Sequence, residues 1–287
     1  MQGNKNMKIG LVLEGGAKRG IYTAGVLDVL LENGLIADGV VGVSAGAIHG
    51  CSYASMQAGR SIRYNIKYGR DYRFMSFKSL FLSGNMVDTQ FCYHELPEKL
   101  DVYDNEAFKH SNIEFFAVCT NVETGQAEYL KCTDMFADID YIRASASMPL
   151  VSKIVEVGGK KLLDGGIADS IPLKAAERLG FEKNVVVLTR PLGYRKKQAH
   201  LSWLLSLAYR KYPNFVKACK NRHKEYNKEL DYVAAQEKAG CAFVLKPSRL
   251  IKISKMEQNL DIVQEMYELG RKDALTALDK IKSFMKK

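Results

Sequence analysis

Three short segments of this 287-residue chain have residue types and spacings that could do covalent chemistry. The first is Gly42-Val43-Ser44-Ala45-Gly46, a G-x-S-x-G pentapeptide. Small residues around Ser44 let a strand turn into a helix so tightly that the hydroxyl stands above the sheet as a nucleophile. The N–H of Ala45 and the start of the following helix would then favour a developing negative charge. Taken alone, the pentapeptide also fits a glycine-rich turn that packs a helix closely onto a sheet. The second segment is Gly15-Gly16-Ala17-Lys18-Arg19-Gly20, whose backbone N–H groups can be aimed at an anion. Two anions fit such a loop, a nucleotide pyrophosphate or an oxyanion. The dinucleotide fingerprint needs glycine where Ala17 stands and an acid where Val43 and Ser44 end the second strand, so acyl transfer suits the loop better.

The third segment is Asp164-Gly165-Gly166, followed by Asp169 and Pro172. A serine hydrolase needs a base, usually histidine. His49 lies five residues beyond Ser44 on the same helix, pointing away from its turn, and nothing places His94, His110, His200 or His223 at the sheet's carboxyl edge. Asp164, held in a glycine-rich turn after an apolar run, is the better base, although the same residues also read as a plain hairpin turn. An aspartate with a pKa near ~3.9 is a poor base for a serine hydroxyl. The reading therefore requires Asp164 to be desolvated and to lie within about 3 Å of Ser44 Oγ.

The elements that must position these groups are legible around them. Residues 8–13 form a short apolar run that stops at Glu14-Gly15-Gly16 and reads as a buried strand. Residues 20–31 have helical spacing and end at Asn33-Gly34. A second strand over 40–43 runs into Ser44 and a small-residue helix ending near Gly59. Strand, helix, strand, helix in this order predicts a parallel sheet with helices on its faces. Further on, 113–120 and 127–131 read as strands joined at Glu123-Thr124-Gly125, and 138–148 as a helix ended by Pro149. A hairpin over 154–163 delivers Asp164, and 185–188 and 242–245 are two more strands.

The three chemistry-bearing segments, in this order, closely resemble the patatin-like phospholipase family. Arg143-Ala144-Ser145-Ala146-Ser147-Met148-Pro149 and Thr189-Arg190-Pro191 are similar to its bacterial members. The resemblance covers roughly residues 7–194 and implies an α/β fold of three layers, α/β/α, with a mainly parallel central sheet. It implies a Ser44–Asp164 dyad that hydrolyses acyl esters of lipids without histidine, metal or cofactor. Backbone N–H groups of Gly16, Ala17 and Lys18 would form the oxyanion hole, within the loop Gly15 to Gly20, and Gly42, Ala45 and Gly46 would form the nucleophile elbow. The family loop usually has three consecutive glycines, and Ala17 departs from that pattern. Alanine keeps the N–H donor but makes a positive φ costly. Rival readings are a soluble carboxylesterase or thioesterase with the same dyad, and a non-catalytic acyl-lipid-binding protein.

Composition sets the background. With 47% hydrophobic and 26% charged residues the chain reads as an ordinary globular protein, and one domain over 1–287 is expected, with a core at about 7–194 and a helix-rich region at about 195–287. The six cysteines have no zinc-site or C-x-x-C spacing and read as buried free thiols in a reducing compartment. The polar amino terminus and the weakly apolar 39–59 stretch predict neither signal peptide nor membrane span, hence a cytoplasmic protein. The net charge of +10 favours anionic partners, and residues 195–228 hold nearly all of it. With Trp203 beside the helical stripe over 201–219, that segment could lie on an anionic membrane, peripheral to its inner face, or pack on the domain with its lysines solvated. No nucleic-acid motif accompanies the charge. Residues 59–83 interleave arginines with Tyr64, Tyr68 and Tyr72, which at four-residue spacing would share one helix face and could cover an acyl pocket, the arginines facing a phosphate.

Overall fold

The computed structural model describes residues 7–198 and 202–286. Strand β1 (Ile9–Leu13) leads through a 3-10 turn (Ala17–Gly20) into α1 (Ile21–Glu32), then β2 (Gly39–Val43), α2 (Ala45–Ala54), α3 (Arg60–Tyr68), α4 (Phe77–Ser83) and α5 (Asn105–His110). Next come β3 (Glu114–Asn121), β4 (Ala127–Cys132), α6 (Ile139–Ser145), β5 (Val155–Val157), β6 (Lys160–Asp164), α7 (Leu173–Arg178) and β7 (Lys183–Val187). The chain closes with α8 (Ser202–Ala208), α9 (Pro213–Ala239), β8 (Ala242–Leu245), α10 (Leu260–Thr276) and α11 (Leu278–Met285).

The strands form one sheet in the order β5-β6-β3-β2-β1-β7-β8, with β4 also paired to β3. From β3 through β2, β1 and β7 to β8 all pairings are parallel. Both faces are covered, as a parallel sheet requires. Along β1, Ile9, Leu11 and Leu13 enter the core under α1, α2 and α10, while Val12 enters the core under α7 and α9. Val185 and Val187 of β7 likewise face the first core, and Val186 faces the second. The result is the expected three-layer α/β/α arrangement.

The carboxyl-terminal helices are part of that packing. A Cβ on Gly25 of α1 would lie 2.2 Å from the Tyr267 carbonyl, and one on Gly270 of α10 would lie 2.1 Å from the Tyr22 carbonyl. The two glycines thus let the helix backbones touch, closer than any side chain would allow. Tyr267 donates to Asp28 at 2.7 Å across the same contact.

Several sequence expectations need correction. Helix α2 stops at Ala54, where Met56 turns to φ +58, and Gly59 at φ +73 starts α3. Helix α6 stops at Ser145 because the next residues serve the sheet: the Ser147 carbonyl accepts the Asp164 N–H at 2.9 Å. Tyr72 does not share a face with Tyr64 and Tyr68, since α3 ends at Tyr68 and Tyr72 is exposed. Three of the four arginines of 59–83 are already engaged by carboxylates instead of being left for a phosphate: Arg60 and Arg63 pair with Asp101, and Arg73 pairs with Asp71 and Glu95. His200 and Leu201 lie outside the described residues. The split of the following helical region at Pro213 is observed, and Phe215 and Val216 pack inward against Leu163 and Ile167. All six cysteines are free thiols, but only Cys51, Cys119 and Cys132 are buried; Cys92 and Cys219 are half-buried and Cys241 is exposed.

Candidate active site

The site lies where β2 ends. Ser44 sits between β2 and α2 at φ +53, ψ −118, a left-handed conformation that costs a non-glycine residue roughly 1–3 kcal/mol and persists only where its surroundings enforce it. The surroundings are glycines that admit close packing. A Cβ on Gly46 would lie 2.4 Å from the Leu13 carbonyl, and one on Gly42 would lie 2.7 Å from Ala47 Cα. With those positions bare, α2 drops onto the sheet immediately after Ser44 and holds the turn tight.

Asp164 reaches Ser44 through strand register. Strand β3 pairs with β2 along one edge and with β4 along the other, ending on the β2 side at Val43 opposite Val118. One residue further, Cys119 pairs with Asp164 of β6, antiparallel, while β4 still holds the other edge through Glu128 and Ala127. Strand β6 therefore takes the edge that β2 vacates, and Asp164 meets Ser44 end to end. Both line one cleft, and both are buried.

The Asp164 carboxylate is fixed and electrostatically perturbed. Its Oδ1 accepts the Gly166 N–H at 2.8 Å, and its carbonyl accepts from Thr120 Oγ1 at 2.8 Å. Burial raises its pKa above the ordinary carboxylate value. Arg222, the Gly166 N–H, the Ser44 hydroxyl and Lys255 each pull it back in part. His49 lines the neighbouring cavity, and burial holds its pKa down to about 3, so it is neutral at ordinary pH.

The loop after β1 completes the constellation. Glu14 anchors it: one carboxylate oxygen accepts the Thr189 N–H at 2.6 Å, the other the Tyr226 hydroxyl at 2.7 Å. The Arg19 N–H turns back to the Gly16 carbonyl at 3.1 Å. Among the described residues, the N–H groups of Gly16, Ala17 and Lys18 ahead of it have no backbone acceptor. Ala17 sits at φ +48, so the loop imposes the left-handed backbone for which glycine is suited. A Cβ on Gly20 would fall 2.5 Å from that of Ala45, which shows how closely loop and elbow approach. Lys18 is buried, donates to Asn65 Oδ1 at 2.9 Å, and has its pKa lowered to about 8 by burial.

One residue at the elbow carries a function that the sequence alone does not assign. Ser145, fully buried, accepts the Ser44 N–H at 2.8 Å and donates to the Val118 carbonyl at 2.6 Å. It bridges the two backbones at the point where β2 leaves β3. Its only signal in the sequence is membership of the 143–149 segment; no local pattern assigns it this role.

Two cavities meet at Ser44. One, of about 160 Å3, is lined by Ile21, Ile48, Tyr64, Phe74, Leu96 and Ile142 among others, and is predominantly apolar. The other, of about 510 Å3, contains Asp164 and a group of cations. Among the described residues no three His, Cys, Asp or Glu side chains converge on a metal site. No helix among them is long and apolar enough to cross a membrane.

A serine at positive φ after one parallel strand, a glycine-rich loop after its neighbour and an Asp-Gly-Gly turn beside them stand together at one end of the sheet. The model of the patatin-like phospholipase family matches residues 11–177, and the chain belongs to that family of lipid acyl hydrolases. Residues 212–286 match a second model, a domain of unknown function (DUF6363). Among curated relatives, the uncharacterized protein YjjU of Escherichia coli K12 is 30% identical over 64% of this chain and 52% of its own length. The lysophospholipase NTE1 of Cryptococcus neoformans is 28% identical over 63% of this chain and 11% of its own. That of Emericella nidulans is 29% identical over 60% and 11%. The matches thus span about half of YjjU and about a tenth of the two lysophospholipases.

Proposed function

We propose that this chain hydrolyses acyl esters of lipids, with Ser44 as nucleophile and Asp164 as its general base. The observation that carries the reading is the end-to-end meeting of β2 and β6 on one edge of β3, with a strained serine facing a buried carboxylate of raised pKa. In the first step Asp164 takes the proton from Ser44 Oγ as the oxygen attacks the ester carbonyl carbon. The tetrahedral oxyanion is received by the N–H groups of Gly16, Ala17 and Lys18. Collapse expels the alcohol, which takes the proton from Asp164, and leaves an acyl-Ser44. Water, deprotonated by Asp164, then releases the fatty acid and restores both residues. Burial of Asp164 suits this role, since a carboxylate of raised pKa is a stronger base. The apolar cavity beside Ser44 is shaped for the acyl chain.

The test is labelling with an alkyl fluorophosphonate followed by mass spectrometry. A stoichiometric adduct on Ser44, absent in Ser44→Ala and strongly slowed in Asp164→Asn, is the expected result. A folded chain that takes no adduct would refute the dyad. Both substitutions should lower esterase turnover by about 10²-fold or more.

An exposed rim around the cleft supports peripheral contact with an anionic membrane. Phe77, Phe81 and Leu82 of α4 and Trp203 and Leu207 of α8 are all exposed. The 148–153 loop ties together the segments that follow the two helices: the Met86 N–H donates to the Val151 carbonyl at 2.9 Å, and the Leu150 N–H to Tyr209 Oη at 3.0 Å. Lys78, Arg210 and Lys211 stand nearby in sequence, so aromatic and cationic groups share the rim. Co-sedimentation with vesicles should rise with anionic lipid content and fall in Phe81→Ser/Trp203→Ser; binding indifferent to both would remove this reading.

A further inference from the structure

Part of the basic charge carried by residues 195–228 turns inward. The cleft that opens on Ser44 and Asp164 is lined by Arg19, Arg190, Lys196, Lys197, Arg222 and Lys255, with Glu14 and Asp164 as its only carboxylates among the described residues. Six cations against two carboxylates leave an excess of four. They come from four separate parts of the chain: the loop after β1, the stretch after β7, α9, and the segment before α10. Glu14 is already engaged by Tyr226 and Thr189. Among the described residues none of the six cations forms an ion pair, and the buried Nε atoms of Arg19 and Arg222 have no hydrogen-bond partner. Arg222 reaches the turn beside Asp164, its Nη2 3.0 Å from where a Gly166 Cβ would stand.

Cations gathered in this way repel one another and lose hydration. Burial first, then Arg222, Arg19 and Lys255 as neighbours, hold the Lys196 pKa down to about 7, and burial with Arg222, Arg19 and Arg190 lowers that of Lys255. A fold keeps such an uncompensated group at a functional site, where a ligand supplies the missing charge. Resting on the acyl-hydrolase reading, we infer that the cleft binds the phosphate monoester of an acyl-glycerol phosphate among Arg19, Arg190, Lys196, Arg222 and Lys255, with its ester at Ser44 and its chain in the apolar cavity. Ala17, Ser44, Met86 and Met148 line both cavities, so one molecule spans them with its ester at the serine. Arginine and lysine supply charge-assisted hydrogen bonds to the dianion. A phosphocholine headgroup carries a single phosphodiester charge beside a quaternary ammonium, so it neutralises the cleft less and adds a further cation to it.

The test separates binding from turnover. Ser44→Ala protein is titrated calorimetrically with 1-oleoyl-glycerol 3-phosphate, 1-oleoyl-glycerol, 1-oleoyl-glycero-3-phosphocholine and inorganic phosphate. The phosphate monoester lipid should bind at least about tenfold more tightly than each of the others. Arg190→Gln and Lys255→Gln, made in the same background, should each remove at least about threefold of that preference. Equal affinity for the monoester, neutral and phosphocholine lipids would overturn the inference. Inorganic phosphate binding as tightly as the acylated phosphate would overturn it too, making the cleft a free-anion site. Retention of the preference in a native chain that turns over no acyl ester would sustain the subsite and refute only the hydrolase reading.

Discussion

Removing the Ser145 hydroxyl should loosen the Ser44 turn and the sheet at once. In Ser145→Ala the Ser44 N–H loses its acceptor and the Val118 carbonyl loses a donor, both in the interior. Each buried group left unsatisfied costs about 1–3 kcal/mol, so a loss of about 2–6 kcal/mol is expected. That is a large share of the roughly 5–15 kcal/mol that holds an ordinary domain together. Ser147→Ala is the internal control. Its hydroxyl donates to the Arg143 carbonyl one helical turn back and to nothing at the elbow, so its removal should cost about 1 kcal/mol or less. Urea unfolding of the three proteins measures the stabilities. The rate of fluorophosphonate labelling at Ser44 reports separately on the elbow, and should fall in Ser145→Ala and change little in Ser147→Ala. Equal destabilisation by the two substitutions, or a Ser145→Ala protein within about 0.5 kcal/mol of the parent with an unchanged labelling rate, would refute the bridging role.

Two further substitutions probe the surroundings. Ala17 stands at φ +48, where an L-residue pays roughly 1–2 kcal/mol, while glycine costs about 0.5–1 kcal/mol more unfolded-state entropy. Ala17→Gly should therefore be neutral to stabilising by up to about 1 kcal/mol and label at least as fast; clear destabilisation in urea would count against a strained loop. Glu229 accepts the N–H groups of Ser170 and Ile171, yet burial and the nearby Asp169 raise its pKa from 4.5 to about 8. Between those values the folded chain holds a proton that the unfolded chain has lost, so this group makes stability fall as pH rises through that window. Glu229→Gln should flatten the decline in melting temperature between pH 5 and 8, and an unchanged slope would exclude Glu229 as its source.

The parts of the site that depend only on near neighbours along the chain are legible in the amino-acid sequence. A strand ending in Gly-x-Ser-x-Gly and passing into a helix specifies the elbow, because the period of the strand and the need for small residues are both local. The same holds for the glycine-rich loop after β1 and the Asp-Gly-Gly turn after the hairpin. Helix ends are less legible: α2 and α6 stop several residues early, α2 in a local turn at Met56 with positive φ that no glycine announces, α6 where the Ser147 carbonyl is taken by the Asp164 N–H of the sheet.

What the sequence determined by itself is a set of local conformations: where strands give way to helices, and which side chain each junction presents. Only the tertiary structure decided that β6 would occupy the edge of β3 that β2 leaves, carrying Asp164 to Ser44 across 120 residues of chain. It alone brought Ser145 between two backbones and gathered cations from four segments around one cleft. The physical reason is that strand pairing and burial are settled by the whole sheet and its two helical layers together. No window of neighbouring residues carries the information that selects one edge, or one inward-facing lysine, over another.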